Sequence, residues 1–224
     1  MERTFENDLS QIKEAILTMA SLVEKNFKVA IRALVERDES LIDEVMRGEE
    51  EIDQYDVKIN DMAILYIARQ APVASDLRFI TTVMKVSSDL ERVGDQAVNI
   101  CKRTRELNKE PLLKPLIDIP RLAHMSLEML RDAMDAFVNN KMYLVSEITT
   151  RDKDVNELKN QLYRELTSYM IENPKTITRA LNLMSTSRHL ERVADHAKNI
   201  AKKVYFMYEG KDISHQDPPV VSKY

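Results

Sequence analysis

Residues 90–100 read LERVGDQAVNI and, one hundred positions later, residues 190–200 read LERVADHAKNI. Leu, Glu, Arg, Val, Asp, Ala, Asn and Ile recur at the same spacing in both. The apolar members Leu90, Val93, Ala97 and Ile100 step three or four residues apart, the period of a helix with one face in a core. Leu190, Val193, Ala197 and Ile200 repeat that period, so the two stretches predict equivalent helices in two copies of one unit.

The repeat extends outward from the motif. IRALV at 31–35 aligns with MDAFV at 134–138, and RQAP ending at Pro72 aligns with IENP ending at Pro174. Apolar spacing predicts a first helix to about Arg37, a second opened by Asp38 and ending before Pro72, and a third from Ser75 to about Leu107. NKEPLLKPLIDIP, at 108–120, interrupts the period with three prolines. Three more helices follow: one capped by Asp118, one from about Met142 to Glu172, and one opened by Asn173 and Pro174 and stopped at Gly210. Short connections force neighbouring helices to run antiparallel. The expected fold is all-α: two tandem antiparallel three-helix bundles related by an internal pseudo-repeat. The first spans 1–108, a connection 109–119, the second bundle 120–210, and a loose C-terminal tail 211–224. The proline-rich connection predicts a place about which the bundles turn.

Composition narrows the function. Three glycines and no Trp in 224 residues argue against a glycine-rich nucleotide loop and against an all-β protein. A formal net charge of -4 without a basic stretch argues against a nucleic-acid partner. No apolar run reaches the roughly 20 residues of a membrane span, and the N-terminus lacks the pattern of a secretory signal, so a cytoplasmic protein is expected. The single Cys101 continues the apolar stripe and reads as core, as do Met125, Met129 and Met134.

The polar residues of the motif need their own explanation. Glu91, Asp95 and Asn99 lie four apart on one helical line, as do Glu191, Asp195 and Asn199. Like charges at this spacing destabilise a helix by about 0.2–0.5 kcal/mol, so a compensating cation is expected. Glu91, Asp95, Glu191 and Asp195 are therefore the candidate metal ligands. Oxygen donors select hard cations such as Mg²⁺, Mn²⁺ or Ca²⁺, tolerate iron and disfavour Zn²⁺. In the second copy Arg188 and Lys198 stand where they can pair with Glu191 and Asp195, so the first copy is the less neutralised. One helix cannot close a coordination shell. The acidic stretches EEEIDQYD at 49–56 and RDKDVNE at 151–157 both offer further ligands. His124, His189, His196 and His215 have no counterparts in the first half and read as surface or structural residues.

The chain resembles the PhoU family of phosphate-specific transport system accessory proteins. The resemblance rests on QAPVASDLRFITTVMKVSSDLERVGDQAVNI at 70–100, LMSTSRHLERVADHAKNIAKKVYFMYEGKDISH at 183–215 and LYRELTSYMIENPKTI at 162–177. It implies paired three-helix bundles with metal, iron included, at the repeated Glu/Asp-x-x-x-Asp motifs. It also implies a non-enzymatic cytoplasmic regulator, commonly a homodimer, that couples the ATPase of a phosphate-import ABC transporter to a phosphate-sensing histidine kinase. Such a regulator restrains both the phosphate-starvation response and phosphate uptake. Two other readings compete: a ferritin-like carboxylate-bridged metal enzyme, and a metal-free helical interaction module. The ferritin-like reading calls for His three after Glu, where this chain has Gly94 and Ala194.

Overall fold

The computed structural model describes residues 2–214 together with 216 and 219, and side chains from residue 8 onward. Helices α1 (Glu2–Glu36), α2 (Ser40–Gln70) and α3 (Ala74–Asn108) form the first bundle; α4 (Asp118–Asn139), α5 (Tyr143–Glu172) and α6 (Ile177–Glu209) form the second. No strand occurs among the described residues. The tail expected at 211–224 lies largely outside them, as does His215.

Local chemistry sets the breaks. Arg37, Ala71, Asn140 and Gly210 take left-handed backbone at helix ends, where a reversed residue frees the chain to turn. Asp38 Oδ1 accepts from the Ser40 amide at 2.9 Å and from its hydroxyl at 2.7 Å, starting α2. Asn173 Oδ1 accepts from the Lys175 amide at 3.1 Å and opens a 3₁₀ turn, Pro174–Thr176, that leads into α6. Asp118 is the first residue of α4 rather than the residue before it.

Each bundle fills its centre with apolar side chains, and the two centres join into one continuous core. Ile16, Met19 and Val23 of α1 are fully buried with Val45, Ile52 and Ile59 of α2 and Ile80, Leu90 and Val93 of α3. Leu122 and Met129, Ile148 and Val155, and Leu190 and Val193 do the same work in α4, α5 and α6. The buried residues also fix the repeat's register: Ile42, Val45, Ile52 and Ile59 of α2 match Val145, Ile148, Val155 and Leu162 of α5, an offset of 103 where α3 and α6 differ by 100. Cys101 is buried in this core, which pushes its thiol up to about 12. Met129 and Met134 are core residues as expected, with Met125 packed against them.

The bundles meet where α3 packs along α6. Asp89, only 6% exposed, accepts from Lys203 Nζ through one carboxylate oxygen, and its other lies 3.0 Å from His196 Nδ1. His189 Nδ1 lies 2.9 Å from Gln96 Oε1. Moving each number by one hundred turns the pair 89/196 into 189/96, so the two contacts are copies related by the pseudo-repeat. Three further bonds cross the seam, Arg103 Nη1 to Asn182 Oδ1 at 3.3 Å, Arg78 Nε to the Met207 carbonyl at 3.4 Å and Lys203 Nζ to the Lys85 carbonyl at 3.3 Å. The connection is tied as well. The Arg37 guanidinium donates to the carbonyls of Asn108 at 3.0 Å and Glu110 at 2.8 Å, and Arg179 Nη1 donates to that of Pro111 at 3.0 Å. In this arrangement the prolines of 108–120 end a helix, and the bundles are held together along the α3–α6 seam.

Candidate functional site

Glu91 and Asp95 face α2. The carboxylates opposite are Glu49, Asp53 and Asp56, which resolves one of the two acidic stretches the sequence left open. Burial and then the charges of Asp95, Asp53 and Asp56 push Glu91 above the usual carboxylate range. Burial followed by Asp53 and Asp95 does the same to Glu49, and burial followed by Asp95 and Asp56 does it to Asp53. A like charge disfavours ionisation, so mutual repulsion adds to lost water in raising these groups. Among the described residues none of the five acids makes an ion pair; Arg92 and Lys102 act on Glu91 and Glu49 only as the last of several influences. Buried Ser87 donates to Asp56 Oδ1 at 2.6 Å and holds that carboxylate at the inter-helix face.

Gly94 lies between Glu91 and Asp95 in sequence. A Cβ there would come within 3.3 Å of Ile52 Cδ1 and 3.4 Å of Ile52 Cγ2, so the glycine lets α2 and α3 approach closely at the level of the acids. The set is rich in hard oxygen donors and uncompensated negative charge, which fits a divalent cation in chemistry. It is not preassembled: among the described residues no three His, Cys, Asp or Glu side chains are gathered to hold one ion. Carboxylates repelling one another across two helices do not converge unaided.

The second copy is built differently. At offset 103, Glu49, Asp53 and Asp56 become Asp152, Asn156 and Lys159 of α5. Lys159 Nζ lies 2.8 Å from Glu191 Oε1 and 3.2 Å from Asn156 Oδ1. Lys198 Nζ lies 2.6 Å from Asp152 Oδ2. The sequence expectation is thus half corrected: the second copy is the more neutralised, but Lys198 crosses to α5 instead of pairing with Asp195 on its own helix, and Lys159, not Arg188, serves Glu191. Asp195 is pushed up by burial and then by Glu191 and Asp152. Asp152 Oδ1 is buried without a hydrogen-bond partner.

His189 and His196, neighbours of the second motif, belong to the α3–α6 seam rather than to the acids. Burial, followed by the charges of Arg103 and Arg192, lowers His189 to about 4, so it is neutral in its bond to Gln96. The reciprocal spacing of 89/196 and 96/189 is the signal that places them, and it is readable only once α3 and α6 are known to touch. His124 is an exposed partner of Glu128 at 3.3 Å.

The family model described as the PhoU domain matches this chain twice, at residues 16–104 and 119–204, one match per bundle. A phosphate-specific transport system accessory protein PhoU homolog from Aquifex aeolicus is 39% identical over 209 residues, covering 93% of this chain and 95% of its own length. The crystal structure of PhoU from Pseudomonas aeruginosa superimposes with a TM-score of 0.89 at 33% identity, covering 92% of this chain and all of that one. The phosphate transport system regulatory protein PhoU from Streptococcus pneumoniae superimposes at 0.86 with 25% identity, covering 93% and 99%.

Proposed function

The chain belongs to the PhoU family, and from that premise we propose that it is a phosphate-transport accessory protein acting as a regulator rather than an enzyme. The observation that carries this is the doubled family match, one copy in each bundle, together with full-length relatives named for phosphate transport. In finer terms the reading is a cytoplasmic adaptor that couples the ATPase of a phosphate-import ABC transporter to a phosphate-sensing histidine kinase, restraining the starvation response and phosphate uptake. Long rigid helices present extended faces to partners, and no described helix is long and apolar enough to cross a membrane. Such an adaptor reaches the membrane only through partners, and a homodimer would offer two sets of faces.

Metal enters this reading through the first bundle. Glu49, Asp53, Asp56, Glu91 and Asp95 would hold a hard cation, Mg²⁺, Mn²⁺, Ca²⁺ or iron. When bound, the ion supplies charge neutralisation and a cross-link between α2 and α3, and no bond-making step depends on it. Gly94 keeps the approach of α2 to α3 open at the level of these acids.

The test is genetic. Deleting the gene should switch on phosphate-starvation genes in phosphate-replete cells, and restoring the chain should silence them again. Starvation genes that stay silent after deletion would overturn the regulator. Oxygen consumption by iron-loaded protein would favour the ferritin-like enzyme instead.

A further inference from the structure

At two repeat positions beside the acidic clusters the second bundle carries a lysine whose ammonium group bonds an acid of the cluster. Asp56 of the first bundle is matched by Lys159, and Val98 by Lys198. A third difference, Asp53 against Asn156, removes a carboxylate. Both ammonium groups are engaged, Lys159 with Glu191 at 2.8 Å and Lys198 with Asp152 at 2.6 Å, and both acceptors are largely shielded from water, at 17% and 7% side-chain exposure.

We propose that Lys159 and Lys198 fill the cation's place in the second bundle, so that the chain takes up divalent metal through the first bundle alone. This rests on the metal reading above and deepens it. The argument is one of charge and of ligand supply. Five carboxylates without an ion pair stand in the first cluster, against three carboxylates facing two bonded ammonium groups in the second. A divalent ion entering the second cluster meets two fixed positive charges. It also finds Glu191 Oε1, Asp152 Oδ2 and the Asn156 oxygen already accepting from lysine, leaving Glu191 Oε2, Asp152 Oδ1 and the two oxygens of Asp195. Those are too few for Ca²⁺, which takes six to eight oxygens, or for the octahedral shell of Mg²⁺, without wholesale hydration inside a buried face. The two bundles are thereby specialised: α2 against α3 responds to metal, while α5 against α6 is held by its own side chains at any metal concentration.

The probe is Mn²⁺, measured by equilibrium dialysis with metal analysis and by thermal unfolding, with helicity checked by circular dichroism. The full chain and Glu191→Gln/Asp195→Asn should hold the same Mn²⁺, and Glu91→Gln/Asp95→Asn should lose it. Asn156→Asp/Lys159→Asp/Lys198→Val, which copies the first bundle into the second, should gain a further Mn²⁺ equivalent that an added Asp195→Asn removes. The converse transplant, Asp56→Lys/Val98→Lys, should abolish Mn²⁺ uptake and keep its helicity when metal is removed, which holds the test open if the first transplant fails to fold. Mn²⁺ lost from Glu191→Gln/Asp195→Asn would overturn the inference and leave the metal reading standing. A folded transplant that gains no Mn²⁺ would overturn it likewise. Mn²⁺ bound by the transplant but not by the unaltered chain would support the lysine assignment and sink the metal reading of the first bundle.

Discussion

Glu91 and Glu191 hold the same place in the repeat and have opposite company. Glu91 is pushed up by burial and then by the charges of Asp95, Asp53 and Asp56; Glu191 accepts a hydrogen bond from Lys159 at 2.8 Å. The surrounding cores are alike, with Ile52 against Val155 and Leu90 against Leu190 all fully buried. Duplication therefore preserved packing more strictly than electrostatics. A core residue must fit its neighbours to within a methylene group, whereas a half-buried acid needs only some positive charge, and an ammonium group or a metal ion can supply it.

The sharpest way to break this comparison is Lys198→Met. It leaves Asp152, 5% exposed, without its cation, and loss of one partner of a buried pair costs on the order of 3 kcal/mol. Urea unfolding reads the change directly. A loss of only about 0.5 kcal/mol, typical of an exposed pair, would show that Lys198 does not neutralise the second cluster.

Packing supplies the next test. The first bundle pairs Ile52 with Gly94, and the equivalent positions of the second hold Val155 and Ala194, so a methyl group has moved from one helix to the other. Gly94→Ala alone gains helix propensity but presses its Cβ to 3.3 Å from Ile52 Cδ1, and the two effects should largely cancel. Ile52→Val/Gly94→Ala removes the nearest obstructing atom and should be about 1 kcal/mol more stable than Ile52→Val alone. If the double variant is no more stable than Ile52→Val alone, the two helices are not held apart by that contact.

Charge in the first bundle gives a smaller effect of opposite sign. Asp53→Asn, which copies Asn156, removes an i,i+4 repulsion with Glu49 and should stabilise the metal-free protein by about 0.2–0.5 kcal/mol while weakening its thermal response to Mn²⁺. A loss of stability instead would mean that Asp53 has a favourable partner. The smallest effect belongs to the link between the bundles outside the α3–α6 seam, where Arg131 of α4 bonds Glu24 of α1 and lowers it to about 2. A carboxylate with a lowered folded value stabilises above its unfolded value of 4.5 and loses that contribution as pH falls toward 2. Arg131→Ala should flatten the acid side of the stability profile over that window, and an unchanged profile would remove the pair from the account of the interface.

Much of the architecture is legible in the sequence because helical periodicity and turn chemistry are local. Leu9 through Leu34 mark α1, Asn173 with Pro174 marks the α5–α6 corner, and Gly210 marks the last stop. Glu91 and Asp95 stand out because their spacing repeats in Glu191 and Asp195. What faces them does not, since it depends on the rotation and slip of one helix against another. The offset of 103 for α2 and α5, against 100 for α3 and α6, is invisible until the buried residues are known, and it decides that Asp56 is matched by Lys159. Lys198 illustrates the same limit: its sequence neighbour Asp195 is three residues away, yet its partner Asp152 is on α5. The prolines of 108–120 mark a break in the helix, and only the structure reveals that α3 packs along α6 on either side of it.

The most direct measurement is a Mn²⁺ titration of the isotopically labelled full chain followed by amide NMR, because a bound paramagnetic ion erases signals around it and leaves distant ones. Loss of the amides around 49–56 and 91–95 and of the part of α6 packed against them, with those around 152–159 on the far helix α5 retained, is the result expected of a metal-responsive first bundle beside a lysine-neutralised second. Equal loss in both bundles, or loss confined to the second, would contradict it.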